Sequence, residues 1–408
     1  MSGDRAIHVL EGYRVLDFTQ AVAGPTCTLM LAEMGAEVIK VELAPGGDPS
    51  RGVGVLKHGR SGYFVQHNRG KKGICVDVKD PRGLALIKQI VPKMDVVVEN
   101  FAPGVIGRLG LDYATVKGIN PAIVMCSISA FGQTGPLANA PGFDTLGAAY
   151  AGITSMGGEP DGPPYVTHAA IGDVSTGAHA ALAICASLLY RVKTGRGQYL
   201  DLSLLDTYFH YHEASVQMLS LSGGEINPFR AGLHSAYLAP VGLFKGRERY
   251  IVIMCALEHQ WVTLCEVMGQ PGLANDPRFA TRGERLKNIR ALVDVIEGWI
   301  RSMPTDDAAV EAMKARRVPV APVLTVAEAV RHPHLRERGT VRKVRDRMLG
   351  EFDLPGFALR FSEFPRPLEM EAPFLGEHNE KVLSEYLGCT QDQLRELEKE
   401  GVLRNARC

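Results

Sequence analysis

The fold is decided by residues 13–42, which read YRVLDFTQAVAGPTCTLMLAEMGAEVIKVE. The first part, YRVLDF, is typical of a short strand, and the last part, EVIKVE, is typical of a second strand. Between them, Gly24 and Pro25 open a helical pattern that ends at Gly35. A strand, a helix and a strand in so short a stretch form a βαβ unit, whose strands are parallel. The stretch therefore predicts an α/β protein.

The same alternation continues beyond this unit. Residues 73–78 (GICVDV) are strand-like, and a helix is expected from Asp80 to Ile90. Residues 94–98 and 122–129 give two further strands with strongly apolar composition. Apolar strands separated by helices indicate a parallel sheet covered on both faces. We predict a doubly wound α/β domain.

The pattern changes in the middle of the chain. Residues 204–221 indicate one helix, and the sequence SGGE that follows it is typical of a linker. Strands and short helices then mix until the α/β pattern returns. We predict a large domain at residues 1–225 and 321–408, with a smaller α+β domain at 226–320 inserted into it.

Composition excludes several classes of protein. The chain has 408 residues, 45 Lys and Arg against 45 Asp and Glu, and a formal net charge of +0. A balanced charge does not favour coating of nucleic acid or of an anionic membrane. We therefore expect no nucleic-acid and no membrane partner, and an anionic ligand has to be held by local cations.

The chain is predicted to be cytoplasmic. Its start, MSGDRAIHVLEGYRV, lacks the apolar core of a signal peptide, and no segment approaches the roughly 20 apolar residues of a membrane span. The eight cysteines form no CxxC pair and indicate reduced thiols. His210, His212 and Glu213 lie close in sequence, but no distant Cys or His set completes a metal site.

Familiar ligand-binding motifs are absent. The loop after the first strand lacks GxGxxG, and the chain contains no Walker A sequence, GxSxG or HExxH. The missing dinucleotide fingerprint argues against a nicotinamide-dependent oxidoreductase. Ligands of parallel α/β sheets nevertheless bind at the carboxyl ends of the strands. The loops at residues 20–25 and 99–104 are expected at that edge.

Asp173, in IGDVSTG, precedes a long apolar helical pattern. From the residues alone, two interpretations stay open. Asp is a favoured N-cap residue, and a carboxylate at a helix N-terminus is kept ionised by the dipole and by free N–H groups. An ionised carboxylate can also attack a carbonyl without a general base.

Several phrases, taken in order, resemble the family III CoA-transferases, which include formyl-CoA, carnitine and benzylsuccinate CoA-transferases. They cover nearly the whole chain and are LDFTQAVAGP, LAEMGAEVIKVE, NRGKKGICVDVKDPRG, VVVENFAPGVIGRLGLDY, SISAFGQTGP, IGDVSTG, KTGRGQYLDLSLLD, VPVAPVLTVAEAVRHPHL and LGEHNEKVLSEYLG. The resemblance implies a large Rossmann-like domain, a small domain and an interlocked homodimer, although a heteromer with a related subunit stays open.

The resemblance places the family's nucleophile at Asp173. It implies that Asp173 attacks an acyl-CoA, forms a mixed anhydride and then an aspartyl-CoA thioester, and passes CoA to an acceptor acid. Metal and a permanently bound cofactor are unnecessary; the CoA thioester is a substrate. The CoA contacts that it implies are Val22, Ala23, Lys79, Asn100, Phe101 and Arg108. Lys79 and Arg108 suit the phosphates or adenine of CoA, although each alone is also typical of a solvated surface charge.

Two departures from the family pattern concern the site. Some members carry a glycine run in the small domain, where this chain has FRAGLHSAYLAP, with His234 and Ser235 as candidates for the acyl pocket. Some members have a Tyr, and the related α-methylacyl-CoA racemases a His, where this chain has Phe143. A racemase needs an acid and a base on opposite faces of the α-carbon, so Phe143 disfavours that activity.

The sequence indicates the identity of the substrates less clearly than any other property. The amino-acid sequences of the first loop and of residues 129–177 are most similar to those of aryl- or alkylsuccinate CoA-transferases that use succinyl-CoA. A non-catalytic CoA-binding subunit is the remaining alternative, and Asp173 argues against it.

Overall fold

A computed structural model describes residues 8–364, 368 and 370–406. The strands are β1 (Arg14–Asp17), β2 (Glu37–Leu43), β3 (Leu56–Lys57), β4 (Arg60–Ser61), β5 (Lys71–Val76), β6 (Val96–Glu99), β7 (Val124–Ser129), β8 (Tyr199–Ser203), β9 (Val241–Lys245), β10 (Tyr250–Met254), β11 (Val320–Pro322), β12 (Val341–Asp346) and β13 (Gly350–Pro355). The α-helices are α1 (Ala23–Glu33), α2 (Gly62–Asn68), α3 (Pro81–Ile90), α4 (Val105–Arg108), α5 (Tyr113–Ile119), α6 (Asp144–Tyr150), α7 (Ile171–Thr194), α8 (Leu204–His210), α9 (Ser215–Leu221), α10 (Glu258–Val267), α11 (Arg282–Lys287), α12 (Ile289–Ser302), α13 (Asp306–Ala315), α14 (Val326–Arg331), α15 (Pro333–Glu337), α16 (Asn379–Leu387) and α17 (Gln391–Lys399).

The main sheet has six strands in the order β5-β2-β1-β6-β7-β8, and every neighbouring pair is parallel. The predicted βαβ unit of residues 13–42 is confirmed, with Arg14 beside Glu37 and Asp17 beside Lys40. The direction of strand order reverses at β1, which pairs with β2 on one side and with β6 on the other. This reversal is the point where ligands bind in open α/β sheets.

Apolar side chains cover both faces of the sheet. On β1, Val15 belongs to one buried cluster and Leu16 to the other, because successive side chains of a strand point to opposite faces. Helices α1 and α7 contribute to the first cluster, and helices α3 and α16 to the second. The predicted doubly wound arrangement is therefore present.

Two local predictions are wrong. From sequence alone, three cations so close together, Arg69, Lys71 and Lys72, predict a solvated loop, but Lys71 begins β5 and both Arg69 and Lys71 are buried. Buried acids compensate these charges: Glu33 pairs with Arg69, and Asp17 with Lys71. The single helix expected at 204–221 is two helices, α8 and α9, because the chain leaves the helical path after His210.

The chain divides into two compact units. The first takes in the residues up to Ile153, Thr167–Glu213 and the residues from Pro333 onward, and it holds the six-stranded sheet. The second consists of Thr154–Val166 and Ala214–His332. These bounds differ from the predicted 226–320: α9 and α14 belong to the second unit, and so does a distant segment before α7 that sequence periodicity did not indicate.

The second unit has its own sheet and core. Its antiparallel sheet has the order β11-β10-β9. Helices α10, α12 and α13 cover the sheet with Trp261, Ile296 and Val310, among other buried apolar residues. Strands and helices thus mix in this unit.

Within the described residues, one helix, α7, is long and apolar enough to cross a membrane by length and composition alone. The sequence composition predicted no such segment. Part of α7 is buried in the first unit, where Ala180, Ile184 and Leu188 pack in the core on one face of the sheet. The described part of the chain contains no group of three or more His, Cys, Asp or Glu arranged to hold a metal ion.

Candidate active site

Two loops meet at the carboxyl ends of β1 and β6, where the strand order reverses. Asn100, directly after β6, joins them through two hydrogen bonds: its Oδ1 accepts from the Gln20 N–H at 2.8 Å, and its Nδ2 donates to the Gln20 carbonyl at 2.8 Å. A side chain at Gly24 would lie 2.4 Å from the Thr19 Cβ and 3.1 Å from the Asn100 amide carbon. Gly24 is therefore required for this close approach of the two loops.

Helix α1 begins in the same place and leaves backbone donors free. Its N-cap, Val22, makes no side-chain capping bond, and Pro25 has no N–H group. Among the described hydrogen bonds, the Ala23 and Gly24 N–H groups have no acceptor, whereas the Thr26 N–H donates to Val22. Free N–H groups and the positive end of the helix dipole favour a negatively charged oxygen at such a position.

Asp173 lies in the first turn of α7. One turn further on, at Gly177, α7 touches the start of α1: an added Cβ would lie 2.5 Å from the Ala23 carbonyl oxygen and 2.8 Å from the Thr26 Cβ. Gly177 thus allows α7 to approach α1 closely. The structure in this way brings the first turns of α7 and α1 together, although they are far apart in the sequence.

The predicted N-cap role of Asp173 is wrong. Asp173 is the third residue of α7, and the N-cap position is occupied by Ala170, which makes no side-chain capping bond. Instead, two distant side chains cap the helix: the Asp173 N–H donates to Asp144 Oδ1 at 2.8 Å, and the Gly172 N–H donates to the Tyr208 hydroxyl at 3.0 Å. Tyr208 in turn donates to Asp144 Oδ2 at 2.9 Å. The Asp173 carboxylate is therefore not used for capping.

Burial and the neighbouring Asp144 raise the pKa of Asp173 to about 7. The sequence analysis expected the helix dipole and free N–H groups to keep Asp173 ionised, but Asp144 and Tyr208 occupy those N–H groups, and Asp144 brings a like charge. Near pH 7 the carboxyl group is thus divided between its acid and its carboxylate forms. Burial, Asp173 and Asp48 also raise the pKa of Tyr63 on α2, which shows that Tyr63 lies in the electrostatic field of the same site.

The other predicted contacts lie at the same edge of the sheet. Val22 and Ala23 are buried, and Asn100 and Phe101 are partly buried, with the Phe101 N–H donating to Glu99 at 2.8 Å. Lys79 is exposed and follows β5, two strands away from β1. Arg108 is exposed at the end of α4. The geometry therefore brings Val22, Ala23 and Asn100 together, and places Lys79 and Arg108 further out on exposed positions.

Sequence reasoning missed three residues near Asp173: Asp144, Tyr208 and Tyr63. Asp144 adjoins Phe143, which the sequence analysis did single out, but Phe143 itself is 77% exposed and precedes α6. Tyr208 lies on α8, in a stretch typical of an ordinary aromatic helix, and its hydroxyl accepts from the Gly172 N–H next to Asp173. Nothing local to Tyr208 or Tyr63 distinguishes either residue, because their roles arise from tertiary proximity.

His234 and Ser235 lie in the second unit. With Arg230 and Arg290 they line an open cavity of about 630 Å³, which also contains Glu159 and Asp161. Burial lowers the pKa of His234, although Glu297 and Glu159 act against this effect. The residues that replace the glycine run thus line a cavity within that unit that has both charged and apolar walls.

Comparison with known proteins identifies the family. The model of CoA-transferase family III matches residues 10–379. The chain is 35% identical to the succinyl-CoA–D-citramalate CoA-transferase of Chloroflexus aurantiacus, over 99% of this chain and 100% of that protein. It is 32% identical to the mouse succinyl-CoA:glutarate CoA-transferase, over 97% and 90% of the two chains. A crystal structure of a CAIB/BAIF family protein from Brucella suis superposes with a TM-score of 0.82 at 33% identity, over 93% and 99% of the two chains. The chain belongs to CoA-transferase family III and is an enzyme that transfers CoA between acyl-CoA and carboxylic acid substrates.

Proposed function

We propose that Asp173 is the nucleophile of this CoA-transferase. The observation that carries the proposal is the position of its half-buried carboxyl group, one helical turn before Gly177, where α7 contacts the start of α1. The Ala23 and Gly24 N–H groups at that start have no acceptor among the described hydrogen bonds. A carboxylate is already a nucleophile when ionised, so the reaction needs no separate base. The burial that raises the pKa of Asp173 also removes the water that would weaken its attack.

The reaction is written in four steps. An Asp173 carboxylate oxygen attacks the thioester carbonyl, the C–S bond breaks, and CoA leaves as a thiolate from a mixed anhydride. The thiolate attacks the Asp173 carbonyl of that anhydride and releases the donor acid as its carboxylate, leaving an aspartyl-CoA thioester. The acceptor carboxylate attacks this thioester and again frees the thiolate. The thiolate then attacks the acceptor carbonyl, which gives the new acyl-CoA and regenerates the Asp173 carboxylate.

Each tetrahedral intermediate needs hydrogen-bond donors for its oxyanion. The α7 N–H groups nearest to Asp173 are occupied: Gly172 donates to Tyr208, and Asp173 itself donates to Asp144. We therefore assign the oxyanion donors to the start of α1, with the Ala23 and Gly24 N–H groups as candidates. With these donors, the oxyanion does not require the Tyr hydroxyl that some family members have at the position of Phe143.

For CoA binding we keep the predicted contacts Val22, Ala23, Asn100 and Phe101, and Lys79 and Arg108 for the nucleotide. The first four lie where β1 and β6 end, which is the usual ligand position in such sheets. Lys79 and Arg108 are exposed cations at the same edge, suited to phosphate oxygens.

For the substrates we propose succinyl-CoA as donor and a dicarboxylic acid as acceptor. The two relatives described above carry succinyl-CoA in their names, together with D-citramalate and glutarate. The aryl- or alkylsuccinate class predicted from the sequence is a member of the same chemical group. A panel of mono- and dicarboxylates, including substituted succinates, decides among them.

We propose that the enzyme acts as a homodimer in the cytoplasm. Leu182, Leu189 and Val192 lie on the exposed face of α7 and are 57–71% exposed, which is unusual for a helix otherwise packed in a core. A second copy of the chain would cover them. Sedimentation of the purified protein tests the dimer, and the presence of a related partner chain would appear as a heteromer instead.

The nucleophile is tested by substitution and by trapping. Asp173→Asn keeps the shape of the side chain but removes its nucleophilicity, so we expect transfer to be lost while the circular dichroism spectrum is retained. Asp112→Asn is the control, because it makes the same substitution at another helix start, where Asp112 is the N-cap of α5 and accepts from the Thr115 N–H. With donor but no acceptor, hydroxylamine should trap the aspartyl thioester at Asp173, and peptide mass spectrometry should detect the modified residue.

Activity of Asp173→Asn within a few-fold of wild type, or label on another residue, would refute the proposal. Exchange of the α-hydrogen with solvent deuterium, without CoA transfer, would instead indicate a racemase.

A further inference from the structure

A buried ion pair lies beneath the loop that joins β1 to α1. Lys40 on β2 and Asp48 after β2 are 0% and 1% exposed, and the distance from Lys40 Nζ to Asp48 Oδ2 is 2.9 Å. Opposite charges hold both groups in their charged forms: despite burial, Asp48 raises the pKa of Lys40 and Lys40 lowers the pKa of Asp48. Such a pair is costly to desolvate, and similar pairs elsewhere are often replaceable by apolar residues without loss of stability. Stability alone is therefore a weak reason for its presence.

Both members of the pair bind the backbone of that loop. Lys40 Nζ donates to the Thr19 carbonyl at 2.7 Å, and Asp48 Oδ1 accepts from the Ala21 N–H at 3.2 Å. Between these two anchors, the Gln20 N–H is held by Asn100. Three consecutive residues before the N-cap of α1 are thus fixed by side chains from other parts of the sheet.

The anchored loop has a strained shape. Ala21 has φ +62°, a left-handed conformation that residues with a Cβ rarely adopt. Such strain persists only where the surroundings impose it, and it often marks a functional site. The strain falls directly before Val22 and Ala23, where α1 begins with its free N–H groups.

A second buried pair supports the same loop from the other side. Asp17, at the end of β1, pairs with Lys71 at 3.1 Å and also accepts from the Thr19 hydroxyl and the Thr19 N–H. Lys71 in addition donates to the Pro25 carbonyl in the first turn of α1 at 3.2 Å. Both the start and the end of the loop are therefore tied to buried charges.

We propose that Lys40 and Asp48 are positioning residues for substrate binding: the pair holds Ala21 in its left-handed conformation so that the α1 N–H groups face the CoA thioester. This inference rests on the proposed function. Neither residue touches the substrate, so the pair acts through the shape of the loop. Its loss should weaken binding of the CoA ester and of its transition state, rather than abolish the reaction.

The test is the double variant Lys40→Met/Asp48→Asn, which removes both charges together and leaves no uncompensated buried ion. We expect KM for the CoA ester, and Kd for CoA by calorimetry, to rise about tenfold or more. The variant Lys40→Met/Asp48→Asn/Ala21→Gly should recover a large part of this loss, because glycine adopts the left-handed conformation without strain. A purely structural defect would not be rescued in this way.

The matched control is Arg60→Met/Asp346→Asn, which neutralises another buried pair, 4% and 2% exposed, that does not contact the loop. It should change the melting temperature but leave KM and Kd for CoA within about twofold. The inference is overturned if the Lys40/Asp48 variant binds CoA like wild type, or if glycine at position 21 gives no recovery while the melting temperature has fallen. If the wild-type protein has no transferase activity, the proposed function is refuted instead. The inference about Lys40 and Asp48 is then still tested by the Kd for CoA of the wild type and of the double variant.

Discussion

Asp144 controls the ionisation of Asp173, and the substitution Asp144→Asn exposes this control. Asparagine keeps an oxygen that accepts from the Asp173 N–H, so the cap of α7 is retained. It removes the negative charge that, after burial, is the second cause of the raised pKa of Asp173. The pKa of Asp173 should therefore fall only part of the way toward its ordinary value, because burial remains.

Coulomb's law gives the order of magnitude of the change. Two carboxylates on neighbouring side chains, about 6 Å apart, interact by roughly 3 kcal/mol at an effective dielectric constant of about 20. Asp144 and Asp173 are both only partly buried, and water screens about half of this energy. The remainder, about 1.4 kcal/mol, corresponds to one pH unit. We expect the pKa of Asp173 to move from about 7 to about 6.

The assay is the pH dependence of kcat/KM, which reports the ionisation of the free enzyme. The attacking form is the carboxylate, so activity should fall as the pH drops through the pKa: near pH 7 in wild type, and roughly one unit lower in Asp144→Asn. Asp112→Asn should keep the wild-type profile. An acid limb that stays in place, or that moves to higher pH, would show that Asp144 does not govern the nucleophile.

Two further predictions concern Arg108, a proposed CoA contact, and Glu99, the buried acid that precedes Asn100. Arg108→Gln should raise KM for the CoA ester roughly ten- to hundredfold with kcat little changed, because a contact to the nucleotide has the same strength in the ground state and the transition state. The control is Arg395→Gln, which removes another exposed cation. A fall in kcat at constant KM would instead place Arg108 at the reacting carbon. Burial raises the pKa of Glu99 from 4.5 to about 7, so the folded protein binds the extra proton between these values and the free energy of unfolding falls as the pH rises through this window. Glu99→Gln should therefore raise the free energy of unfolding by on the order of 3 kcal/mol at pH 8 and leave it nearly unchanged at pH 4. Denaturant unfolding at both pH values measures the two effects. Equal effects at pH 8 and pH 4 would contradict the prediction.

The sequence predicted what depends on local patterns. Alternation of apolar strands and helices is set by each segment alone, which is why residues 13–42 gave the βαβ unit and the six-stranded parallel sheet followed. The position of Val22 and Asn100 at neighbouring strand ends was also predictable, since parallel strands end at one edge. The two helices α8 and α9 were predicted as one, because helical periodicity does not register a turn at Tyr211 that tertiary packing imposes.

The electrostatics of the site could not be predicted in the same way. Asp173 was expected to be ionised by free N–H groups of its own helix, yet distant residues occupy those groups. Lys71 looked like a solvated charge because its partner, Asp17, lies on another strand. A pKa depends on neighbours in space, and neither Asp144 nor Asp17 is near in sequence to the group that it affects. The resemblance to the family could therefore point to Asp173 as the candidate nucleophile, but nothing in the sequence indicated its charge state.

The raised pKa of Asp173 has a direct consequence for the proposed reaction. In the mixed anhydride, the CoA thiolate can attack either of two carbonyls, and the carboxylate with the lower pKa is the better leaving group. Burial and Asp144 make Asp173 more basic than an ordinary aspartate. In the second step this basicity favours attack at the Asp173 carbonyl, because the donor acid is then the better leaving group. In the fourth step it has the opposite effect, because Asp173 itself must leave from the anhydride that it forms with the acceptor. The two effects cancel over the full cycle, so Asp144 affects the pH dependence of the proposed reaction rather than its direction.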